Sequence, residues 1–97
     1  MATRNILEEC RAALGLTDGY FDDQIALLIE AARKAMWRGG VPEDKANDDA
    51  DPMVIVCITC FVKAMIGNDN PDSDKYMASF DSMVSLLKMS RTIGESE

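Results

Sequence analysis

The chain has 97 residues, with 17 acidic against 10 basic side chains, a formal charge of −7, and no histidine. That length holds one domain at most, and its modest core would gain from burial by self-association. The acidic balance excludes a protein that wraps nucleic acid, which needs a basic face, and the missing histidine removes the commonest general base and metal ligand.

A first helix is expected over about residues 4–14, capped by Thr3 and stopped by Gly15, with Leu16 placed for the apolar contact of a glycine cap. Ile6, Cys10, Ala13 and Leu14 form its apolar stripe; Arg4, Glu8 and Arg11 face outward. The opening MATRNILEECR carries charge where a signal peptide has its apolar core, so an intracellular chain is expected.

Thr17–Phe21 is a turn, and a second helix follows over about residues 20–38, with Asp22 and Asp23 placed to favour its dipole. Ile25, Leu28, Ile29, Ala32 and Met36 make the main stripe, and Leu27, Ala31 and Ala35 widen it. Glu30 and Lys34 are spaced as an i,i+4 pair, and Gly39–Gly40 stops the helix. Trp37 falls off the main stripe and is expected to be partly exposed. The widened face, with Leu27, Ala31, Met36 and Trp37, is the candidate subunit interface.

Val41–Ala50 reads as a mobile acidic connection. It lacks the ligand alternation, central glycine and terminal glutamate of a calcium loop, so a solvated linker is the reading.

The third helix, about residues 52–66, is the segment the others cover. Asp51 caps it, Pro52 suits its first position, and Gly67 closes it. Only Thr59 and Lys63 are polar within it, so most of its surface must be buried. Its β-branched residues make a strand the rival, but the run is twice an ordinary strand's length, and Lys63 interrupts it too soon for a membrane span. Cys57 and Cys60 form a C-x-x-C in mid-helix, without the helix N-terminus that activates a redox thiolate, and read as small core residues. With Cys10 the count is odd, which argues for free thiols, and zinc would lack ligands.

After the turn cluster of residues 68–73, a last helix of about residues 74–89 carries Tyr76, Met77, Phe80, Met83, Val84 and Leu87 on one side. Residues 1–89 therefore form the domain, and residues 90–97 a polar tail not expected to be ordered in a monomer. The fold class is all-α, four main helices around a buried central one. No catalytic residue, cofactor or metal is expected, for want of a convergent polar cluster.

The order of these pieces resembles the small helical head–tail connector, or adaptor, proteins of tailed bacteriophages and prophages. The resemblance rests on LGLTD at residues 14–18, FDDQIALLIEAA at 21–32, Gly40-Val41 and the acidic linker ending in Asp51-Pro52. It continues in VKAMIGNDNPD at 62–72 and in Tyr76, Phe80, Asp81 and Ser82, covering about residues 5–89. It implies a structural virion protein at the head–tail junction, made in the host cytoplasm. Its subunits form a homo-oligomeric ring that docks under the portal, extends the DNA channel and meets the tail or the next connector. DNA passes without specific binding, and no membrane is involved. The family's use of its C-terminal segment to grip the portal points to Arg91 and Ile93, and the negative charge suits a DNA conduit, with Asp48, Asp49 and Asp51 as candidate lining acids. The alternative is an acidic helical binding module, a regulator or DNA mimic with no virion role. A helix-turn-helix DNA reader would need a basic recognition helix, and Lys75 and Lys88 lie only at the ends of the last one.

Overall fold

A computed structural model describes residues 5–66 and 71–96, with the side chains of residues 5–66 and 71–88. Five helices follow one another among the described residues: α1 (Ile6–Leu14), α2 (Asp22–Arg38), α3 (Glu43–Ala46), α4 (Pro52–Met65) and α5 (Ser73–Ser96). Among the described residues there is no strand.

The bundle is built around α4. Val54, Cys57, Ile58 and Val62 are completely enclosed, and Phe61 and Ala64 are buried. The helix packs against α5, α2 and α1. Each facing helix brings its own apolar row: Cys10 from α1; Ile25, Ile29, Ala32 and Met36 from α2; Phe80, Val84 and Leu87 from α5. Phe61 and Phe80 meet with ring centroids 5.0 Å apart and planes tilted by 56°, an arrangement aromatic quadrupoles favour over a face-to-face sandwich. The all-α expectation holds, as does the role of the central helix.

Local chemistry fixes the ends. Asp51 takes the backbone N–H of Met53 at 2.9 Å, and Pro52 occupies the first turn of α4, as its missing N–H allows. At the far end the Ser73 hydroxyl donates to the Ala64 carbonyl at 2.8 Å, so the start of α5 satisfies the end of α4. The expected cap at Gly67 lies outside the described residues.

Several expectations change. The cap of α1 is Asn5, not Thr3, which lies outside the described residues: Asn5 accepts the Glu8 N–H at 2.8 Å and Glu8 returns a bond to the Asn5 N–H at 3.2 Å, a capping box. Ala13, counted with the apolar stripe, is exposed. The connection between α2 and α4 is not a free linker. It contains α3, and Val41 and Ala46 plug it into the core at 1% exposure each.

The tail also differs, since α5 continues as helix to Ser96 rather than ending near residue 89. Two tight turns steer these helices. Gly15, at φ 75°, ends α1 with the Leu16 N–H reaching the Arg11 carbonyl at 2.9 Å. Gly40, at φ 110°, ends α2 in the same way, with Val41 N–H bonded to Met36 at 3.0 Å. There α5 passes so closely that a Cβ on Gly40 would stand 2.8 Å from Lys88 Cδ.

Because Ile58 is fully enclosed and Val56, on the same helix, is 47% exposed, truncating them separates core from surface. Ile58→Ala should cost about 2–5 kcal/mol in urea denaturation, as large-to-small core changes do. Val56→Ala should cost about 1 kcal/mol or less.

Candidate docking surfaces

The buried side of α2 sends its opposite side to solvent. Leu27 is 71% exposed and Trp37 58%, and Ala31 is exposed as well. Met36 belongs elsewhere: it is fully enclosed in the core and adds nothing to that outer face. In the turn before α2, Tyr20 stands 83% exposed with Phe21 edge-on to it at 4.9 Å. Other large apolar side chains reach solvent at Met53, Val56 and Met65 on α4 and Leu86 on α5.

The connector between α2 and α4 builds a second feature, a groove of about 360 Å³ lined by Glu30, Arg33, Lys34, Trp37, Glu43, Ala46 and Asn47. Sequence reading missed it because α3 was missed. The signal lay in Pro42-Glu43-Asp44, a proline followed by acids, which favours the first turn of a helix.

Ion pairs hold this connector down. The Arg33 side chain, 11% exposed, donates to the Ala46 carbonyl at 2.9 Å and makes a two-pronged contact with Asp49 at 2.9 and 3.3 Å. Its Nε lies 3.9 Å from Glu30, so Glu30 is drawn to Arg33 rather than to Lys34. Lys45 donates to Asp51, and its Nζ lies 4.0 Å from Asp48, whose carboxylate also accepts the Ala50 N–H at 3.1 Å. All three acids expected to line a channel thus have partners within their own subunit. The hydrogen bond from Lys45 holds the Asp51 carboxyl below its ordinary value, and the same bond raises Lys45. Across the α1–α2 junction Arg11 meets Asp22 at 3.1 Å.

The thiols lie away from these surfaces. Burial pushes Cys10 and Cys57 up to about 12 and raises Cys60 as well. A thiol held neutral is a poor nucleophile, and the C-x-x-C packs with the core, Cys57 inside it and Cys60 against it. The side chains of Arg91 and Ile93, expected to meet the portal, are outside the described residues.

These features define a class: a small all-helical bundle with apolar and charged surfaces on its outer faces. The model of the phage connector protein family matches residues 6–94, and the chain belongs to that family. The family is one of structural proteins with a head–tail connector role, acting with other head and tail proteins of the phage particle. No curated protein and no solved structure matches the chain. No helix among the described residues is long and apolar enough to cross a membrane.

Two outcomes follow for the connector and the thiols. The lowered Asp51 carboxyl contributes stability that is present above its ordinary value of 3.8 and is lost as pH falls through the folded-state value. Asp51→Asn keeps a good cap but removes the charge, so its thermal midpoint should fall less steeply in acid than that of the wild type. Asp51→Ala loses the cap too and should cost about 1 kcal/mol, or roughly 4–8 °C in midpoint. In thiol titration at mildly alkaline pH, Cys60 should react first, and Cys10 and Cys57 only on unfolding.

Proposed function

We propose that this chain is the repeating subunit of a ring at the head–tail junction, docked beneath the portal and continuing the DNA channel toward the tail. The family match over residues 6–94 carries the reading. A ring requires two different faces on each subunit, because head-to-tail contacts close only when the rotation does. The outer face of α2, with Leu27, Ala31 and Trp37, supports one of them; the exposed residues of α4 and α5 offer a second.

The C-terminal part of α5 is the proposed grip on the portal, with Arg91 and Ile93 as its contact residues. Helix α5 has 24 residues against 14 in α4, so at 1.5 Å per residue it outruns its main packing partner by about 15 Å. The protein does no catalysis in this role, and DNA passes without a specific contact, as the charge of −7 favours. With Asp49 and Asp51 committed to Arg33 and Lys45, neutralising them should alter stability more than DNA passage.

Electron microscopy of the full chain, alone and mixed with the portal of the same phage, tests the proposal. A closed ring seated on the portal is expected, and truncation after Lys88 should abolish seating without unfolding the domain. A protein that never joins the portal would overturn the connector reading.

A further inference from the structure

Along the solvent side of α2, Gln24, Leu27, Ala31, Lys34 and Arg38 recur at spacings of three, four, three and four residues, and all five are exposed. That alternation is the seam spacing of paired helices. It also reads the same in both directions about position 29: residue 24 mirrors 34, and 27 mirrors 31. A two-fold axis there would set large Leu27 against small Ala31 twice over.

Charge decides the orientation. The N-terminal end of α2 is acidic, with Asp22 and Asp23 in its first turn, and the C-terminal end is basic, with Lys34 and Arg38. Asp22 is occupied by Arg11, whereas Asp23, Lys34 and Arg38 are exposed and have no described ion-pair partner within the subunit. A parallel pair would stack like charges at both ends. An antiparallel pair brings Asp23 of each copy beside Lys34 of the other, and carries the exposed Tyr20 toward the Arg38 end, where a guanidinium can lie over its ring.

We propose that the outer face of α2 docks on the same face of a second copy, antiparallel and two-fold symmetric, in the unassembled protein. Such an isologous contact closes on itself and cannot propagate. It covers Leu27 and Ala31, and the ring can use that face only after the pair has opened. This rests on the reading of the α2 face as a subunit contact, and it adds a state that precedes the ring. The partner is this chain itself. Association is salt-sensitive, because its orientation comes from exposed charges.

Sedimentation equilibrium of the full chain, without portal, tests it through two charge reversals at exposed positions that leave the core untouched. The wild type should be a dimer. Asp23→Lys or Lys34→Asp alone should weaken association about tenfold, and the double variant should restore it. When chains bearing Leu27→Cys are mixed under mild oxidation with chains bearing Ala31→Cys, a cross-linked pair of unlike chains should form, and neither variant should cross-link alone. A wild type that is monomeric at every concentration, a ring in the absence of portal, or a double variant no better than the single ones would overturn the inference. Rings on the portal would still support the connector reading after that result. A dimer that never engages the portal would sink the connector reading and leave this one standing.

Discussion

A helix whose only polar side chains are Thr59 and Lys63 cannot stand in water, and the rest of the molecule answers that constraint. Three helices enclose α4, and even its two polar residues are accommodated without breaking the enclosure. The Thr59 hydroxyl donates back to the Val56 carbonyl at 2.9 Å, and the Lys63 ammonium lies 5.3 Å from the centre of the Tyr76 ring. Burying a large aliphatic side chain contributes about 1.5–3 kcal/mol, so the row from Val54 to Val62 is a substantial part of the favourable side of folding.

The acidic surplus is partly spent inside the subunit. Arg33 reaches from α2 to Asp49 and the Ala46 carbonyl, and Lys45 reaches from α3 to Asp51, the residue that caps α4. These contacts fix the connector on the bundle and join the end of α2 to the start of α4. They also create the groove beside Trp37. The exposed cations Lys34 and Arg38 take no such role, and for that reason they are the charges with something left to offer a neighbouring chain.

Much of this was legible in the sequence, and the misses have physical causes. The central helix announced itself through Asp51-Pro52 and an apolar run too long for a strand, and the stripes of α2 and α5 followed from their spacing. Asn5 was overlooked although Glu8 stands three residues on, because Thr3 is also a common cap and comes first in the chain. α3 was lost because four residues give no periodicity, and the two small apolar anchors that hold it, Val41 and Ala46, look like ordinary loop residues. Met36 and Trp37 are adjacent, yet one is enclosed and the other exposed, since successive helical residues point about 100° apart. The outward face of α2 was visible as a widened apolar surface; its mirrored spacing has meaning only once the opposite face is known to be covered.

For a connector, this division of labour matters. A bundle whose core is complete within one chain leaves its outer faces to contacts with other proteins of the phage particle. Native-state hydrogen exchange tests that claim most directly, because it reports the opening free energy residue by residue. Amides from Cys57 to Val62 in the isolated protein should exchange only through global unfolding, with protection matching the stability measured by denaturant, while those of α3 exchange through smaller local openings. If the α4 amides exchanged as readily as those of α3, the central helix would not be enclosed by its own chain, and the account would fail.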